Sequence, residues 1–255
     1  MHFVTLLIVC PLVFLGGFVD SIAGGGGLIS LPAYVMTGLP IHICIGTNKM
    51  SSAMGTSVST FQFARSGYIK FKLAMIAAVT AVASASLGAH LALQLSDRYF
   101  RMVLIIILPV TAGYLLWRKN ALSAGQTAQQ RLTSWQIVLA IGIAIVLGTY
   151  DGFYGPGAGT FMLLGLTGIA KLPLPLAAGT AKVINLTTNL TGLTVFLLSG
   201  SVMIQLGLIG GLFGIAGNFL GARYFKHGGA QIARPLILIV LVIFFLKLAY
   251  DFWSL

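Results

Sequence analysis

One glycine-broken, lysine-bearing pattern is written twice in this 255-residue chain, about half its length apart. The first copy carries Asp20, the run Gly24–Gly27, Leu39 and Pro40, then Gly46, Thr47, Asn48 and Lys49, Ser66 and Gly67, and Leu87, Gly88 and Ala89. The second carries Asp151, then Gly155, Pro156 and Gly157, Leu172 and Pro173, Gly179, Thr180, Ala181 and Lys182, Ser199 and Gly200, and Leu220, Gly221 and Ala222. The aspartates lie 131 residues apart and every later match lies 133 apart. Two halves whose hydrophobic segments are interrupted in matching places point to a transporter with its site between the halves. The pattern reads as a carrier.

Around these motifs the chain is apolar, with 58% hydrophobic and 7% charged residues, where a soluble domain has roughly a quarter charged. The stretches 3–19, 71–95, 100–117, 135–150, 202–222 and 233–253 approach or exceed the ~20 residues that span a bilayer. Stretches 41–64 and 174–199 are as long, but each has a polar interruption near its first third. The expected fold is therefore an all-α polytopic membrane protein of two tandem repeats, with 8–10 membrane segments. Residues 1–119 form the first repeat, 120–134 a polar connector and 135–255 the second repeat. A cleaved signal peptide is not expected, because Met1 to Phe18 belongs to the first repeat and no basic region opens it.

A short apolar stretch in each half, 28–37 and 159–169, decides topology. If it turns back, each half has four spans and the halves are parallel. If it crosses, each has five and they are inverted. The crossing arrangement puts Arg65, Lys70, Lys72, Arg118, Lys119, Arg131, Lys171, Arg223, Lys226 and Arg234 on one side, with Arg98 and Arg101 opposite. Cytoplasmic loops are enriched in Lys and Arg, so the charge distribution favours the inverted 5+5 form.

The net charge of +11 does not indicate nucleic acid. Its basic residues stand singly at segment ends, with no basic stripe. Cys10 and Cys44 read as small buried side chains. No metal-ligand spacing, cofactor fingerprint or catalytic constellation occurs, so neither an enzyme nor a cofactor is expected. In the second half Gly207, Gly210, Gly214, Gly217 and Gly221 recur at 3,4 spacing, opposite Ala74, Ala77, Ala81, Ser84 and Gly88 in the first. Such a face lets helices approach closely, within the bundle or across a homodimer.

Lys49 and Lys182 lead the candidate site. Each lies about nine residues into its helix, roughly 13 Å along it. A cation there costs about 2.5–3.5 kcal/mol, so it faces a cavity or a partner. An anionic substrate can be that partner, and so can Asp20 or Asp151 in a structural pair. In the anion reading, Lys49→Ala or Lys182→Ala abolishes binding while the protein still folds. Thr47, Asn48, Ser51, Ser52, Thr180, Asn185, Thr187 and Asn189 supply donors nearby. Backbone N–H groups at Gly25, Gly26 and Gly157 lie where short helices begin, which suits an anion. The substrate-binding set is thus Lys49, Lys182, Asn48, Thr47, Thr180, Asn185, Gly25, Gly26 and Gly157. Asp20 and Asp151, directly before the breaks, are open to three roles: proton carrier, helix cap or lysine counter-ion. Tyr150, Phe153 and Tyr154 flank the second break, where they can line an access path.

These motifs resemble the TauE/SafE family of sulfite and sulfonate exporters and related anion permeases. The resemblance rests on Asp20 to Pro32, Gly46 to Lys49, Tyr150 to Gly157 and Thr180 to Leu186, and covers nearly the whole chain. It implies a multi-pass carrier of the bacterial inner membrane for small, often sulfur-containing anions, with seven or eight spans from an internal duplication. A channel and a membrane scaffold are the other readings that the residues leave open.

Overall fold

The computed structural model describes residues 3–96 and 132–225. Residues 97–131, with the stretch 100–117 and most of the connector, lie outside them, as does the stretch 233–253. Among the described residues the regular secondary structure is entirely helical. That is the form in which a chain crossing lipid satisfies its own backbone. The first half gives α1 (Phe3–Ala23), α2 (Gly27–Val35), α3 (Ile41–Arg65) and α4 (Phe71–Gln94). The second gives α5 (Ser134–Phe153), α6 (Ala158–Gly168), α7 (Leu174–Leu198) and α8 (Ile204–Phe225).

Local chemistry explains these boundaries. The connector ends where Thr133 caps α5: its hydroxyl accepts from Gln136 N, and the Gln136 carboxamide accepts from Thr133 N. Such a reciprocal box satisfies two N–H groups that the first turn leaves without partners. Pro40 and Pro173 stand just before α3 and α7, and Ser66 and Ser199 just after them. α1 stops at a glycine run in which Gly24 takes a φ of 76°, a conformation that glycine adopts without a steric penalty.

α1, α4, α5, α7 and α8 are long and apolar enough to cross a membrane. α3 is as long as α7, at 25 residues, but carries more polar groups. α2 and α6 have 9 and 11 residues and rise about 14 and 17 Å. That is about half of the ~30 Å hydrocarbon layer, so neither helix crosses it alone.

Packing interleaves the halves. α1 lies along α8, α5 lies along α4, and α3 and α7 pack on each other. The glycine face of α8 is taken up inside this bundle. A Cβ at Gly217 or Gly221 would strike the carbonyl of Phe14 or Phe18 on α1, and one at Gly207 would press on Met50 of α3. On α4 the matching face, Ala74, Ala77, Ala81 and Ser84, is buried. Ser84 Oγ reaches the Ala144 carbonyl of α5 at 3.3 Å. Small residues here bring helices into backbone contact, as lipid-embedded bundles require. Large apolar side chains such as Phe71, Val79, Val146 and Leu212 stay exposed on α4, α5 and α8, forming a surface suited to acyl chains.

The two breaks meet. A Cβ at Gly24 would lie 2.6 Å from Gly159 O and Thr160 N, one at Gly27 would lie 3.0 Å from Pro156 Cα, and Thr160 Oγ1 donates to Ala23 O at 2.8 Å. The glycines therefore serve first to let the broken segments of the two halves cross backbone to backbone. Tyr150 holds the second break by donating to Pro156 O at 2.8 Å and packs on Tyr154 and Phe161. These aromatics make packing contacts and line neither cavity described below.

Candidate functional site

Buried polar side chains concentrate on α3 and α7. Lys49 and Lys182 are each the ninth residue of their helix. Each crosses to the aspartate of the other half. Lys49 Nζ donates to Asp151 Oδ1 at 2.7 Å, to Asp151 O at 2.6 Å and to Asn189 Oδ1 at 3.3 Å. Lys182 Nζ donates to Asp20 Oδ2 and to Asp20 O, both at 2.5 Å. Both aspartates sit in the last turn of their helices, α1 and α5. A carboxylate and a helix C-terminus thus act together on each ammonium, and both favour a cation. Of the three roles open to Asp20 and Asp151, the geometry shown here is that of counter-ion.

Asp151 is fully furnished. Its second oxygen accepts from Asn185 Nδ2 at 3.0 Å and from the Thr188 hydroxyl, and Asn189 Nδ2 bridges back to Asn185 Oδ1 at 3.3 Å. Asn218 on α8 ties to α1 through Ser21, whose hydroxyl donates to Asn218 Oδ1 at 2.8 Å.

Beside the pairs lies a cleft of about 480 Å³, its mouth included, lined from both halves by Asp20, Lys49, Asp151, Asn185 and Asn189. Of the residues singled out in the sequence, Asn48 and Gly26 line it too. Lys182 lines a neighbouring cavity of about 280 Å³ with Asp20, Phe63 and Leu163. Thr47, Thr180, Gly25 and Gly157 line neither. Thr47 Oγ1 accepts from Met203 N at 2.9 Å, Thr180 Oγ1 donates to Leu176 O at 2.8 Å, and Gly157 precedes α6 with a φ of 80°.

Asn48 stands in the wall of the cleft with its carboxamide unsatisfied among the described residues. It is 5% exposed, its Oδ1 has no donor, and its carboxamide makes no hydrogen bond among the described residues. Buried polar atoms are normally paired. The N–H groups of Gly25 and Gly26, at the head of α2, are also without acceptors among those residues.

Several contributors escape a reading of the sequence. Thr188, not its neighbour Thr187, reaches Asp151, while Thr187 bonds Val183 O. The helical phase from Lys182 does not separate the two without a known partner. Ser30, Thr56 and Asn218 line the cleft as well. Asn218, a polar residue beside Gly214 and Gly217 on the tightly packed α8, carries a signal that could have found it.

This is a polytopic helical bundle with a charged, polar cleft at the junction of two halves, the architecture of a membrane transporter. The family model described as "Sulfite exporter TauE/SafE" matches residues 9–248, and the chain belongs to that family. A probable membrane transporter protein, ORF9, of Sinorhizobium sp. is 34% identical over 250 residues, covering 98% of this chain and 94% of that one. A probable membrane transporter protein of Haemophilus influenzae is 31% identical, covering 93% and 92%. The probable membrane transporter protein YfcA of Escherichia coli K12 is 33% identical, covering 93% and 87%. No solved structure matches the chain.

Proposed function

We infer that this membrane transporter is a secondary carrier of small anions, sulfur-containing oxyanions or organosulfonates of the sulfite and sulfoacetate type. Access to the cleft alternates between the two sides of the bacterial inner membrane. The observation that carries this reading is the cleft itself: it is lined from both halves, Lys49 lines it and Lys182 bonds the Asp20 in its wall, and the Asn48 carboxamide has no partner among the described residues. The neighbouring N–H groups of Gly25 and Gly26 and the hydroxyls of Ser52 and Thr56 add donors suited to several oxygens on one small group. The family description, with sulfite in its wording, supports the same chemistry.

Thermal unfolding of the purified protein tests the binding half of this proposal. Sulfite or sulfoacetate at about a hundred times its Kd should stabilise the fold by about 2.7 kcal/mol, with acetate much weaker. Asn48→Ala should remove most of that shift. Equal shifts in wild type and Asn48→Ala, or none with any sulfur anion, would contradict the site.

A further inference from the structure

The repeat offset sets each residue around one Lys–Asp pair against a counterpart around the other. Around Asp151 the donors are complete: Lys49 on one oxygen, Asn185 and Thr188 on the other, with Asn189 taking a further Lys49 N–H. The counterparts of Asn185, Thr188 and Asn189 on α3 are Ser52, Gly55 and Thr56. Gly55 has no side chain to offer, and a Cβ there would press into Asn218 and Gly214 O. The hydroxyls of Ser52 and Thr56 make no hydrogen bond among the described residues, and both residues line the cleft.

Asp20 is consequently left with Lys182 on Oδ2 and, among the described residues, no donor on Oδ1. Lys182 places two N–H groups on Asp20 and, among the described residues, has no acceptor for its third. The exposures follow the same division: 6% and 12% for the Lys182 and Asp20 side chains, against 2% and 2% for Lys49 and Asp151. Among the described residues, Asp20 is also the one charged residue that lines both cavities.

We propose that the Asp20–Lys182 pair is the working pair of the transport cycle, while Lys49–Asp151 stays closed as the brace between the halves. As the anion enters, Asp20 takes up a proton and Lys182 turns from it to the anion. This rests on the anion-carrier reading above. The proton passes from water to Asp20 Oδ1, the oxygen without a donor, and Lys182 keeps its charge and all its protons. An ionised Asp20 repels an anion in the cleft, and a protonated one does not. One proton with a monoanion then leaves the charge of the site unchanged, so that pair crosses as a neutral unit. A dianion carries one net charge.

Among the described residues, the charged groups that bear on Asp20 are few. Lys182 reaches it from α7, and Lys49 of α3 and Asp151 of α5 share its cleft. α2 and α6 carry no charged residue. On α8 the charged residue is Arg223, exposed at the helix end over the Phe219 ring.

Infrared difference spectroscopy of the protein in lipid nanodiscs, before and after sulfite is added at constant pH, reads the proton without needing transport. Wild type should gain a protonated-carboxyl band that is lost in Asp20→Asn and kept in Asp151→Asn. Because Asp151→Asn strips the brace and can fail to fold, Ser52→Asn provides a second arm. It offers Asp20 an amide in the place that Asn185 holds beside Asp151, and should weaken the band. Sulfoacetate counterflow in proteoliposomes reads the carrier separately. Counterflow without an anion-induced band, or a band unchanged in Asp20→Asn, overturns the assignment of Asp20 and leaves the carrier standing. Absence of counterflow removes the carrier reading and the coupled cycle with it.

Discussion

Lys49→Ala is expected to destabilise the protein by about 3–5 kcal/mol, the cost of leaving one member of a buried ion pair without its partner. The Lys49 and Asp151 side chains are each 2% exposed, and three acceptors surround the ammonium. Truncation strands the Asp151 carboxylate and frees a carbonyl at the end of α5. Thermal unfolding in detergent should show the loss directly. The double variant Lys49→Ala with Asp151→Ala should recover part of it, because the stranded charge is gone. If Lys49→Ala melts with wild type, the pair does not brace the halves. The anion reading of the sequence expects Lys49→Ala to fold normally and lose only binding. The crossed geometry predicts a folding defect first.

Gly24→Ala should be the second large effect. Gly24 has a φ of 76°, and its Cβ would sit 2.6 Å from Gly159 O and Thr160 N. An L-residue in that conformation costs about 1–2 kcal/mol, and forcing two packed backbones apart adds roughly 1–3 kcal/mol. Gly38 makes the control: its φ is 79°, and no described residue lies within 4 Å of the point where a methyl would sit. Gly38→Ala should therefore carry the backbone strain alone. If the two variants lose equal stability, the crossing of the breaks contributes nothing.

Much of the framework is legible in the residues themselves. The duplication shows in residue types at a fixed offset, and α3 and α7 start and stop at that same offset, after Pro40 and Pro173 and before Ser66 and Ser199. Lys49 and Lys182 stand out because a lone cation deep in an apolar stretch needs a reason. Partner choice does not show. Spacing along one chain cannot say whether Lys49 meets Asp20 of its own half or Asp151 of the other, since that depends on how the halves interleave. The glycine runs misdirect for a related reason. Close approach of a ligand and close approach of another backbone demand the same residue, and here Gly24 meets Gly159. Thr47 and Thr180 have the right chemistry in the right motif, but their phase on the helix turns them to Met203 N and Leu176 O. Asn218 does carry a signal, a lone amide in a run of small packing residues.

Counterflow in proteoliposomes tests the carrier cleft most directly, with vesicles preloaded in turn with sulfite, sulfoacetate, taurine, sulfate and a carboxylate control. Transient accumulation of a labelled sulfur anion against its gradient is expected, lost in Lys182→Ala and strongly reduced in Asn48→Ala. Well-inserted protein that gives no counterflow with any of these anions, or that gives it undiminished in both variants, would contradict a carrier built on this cleft.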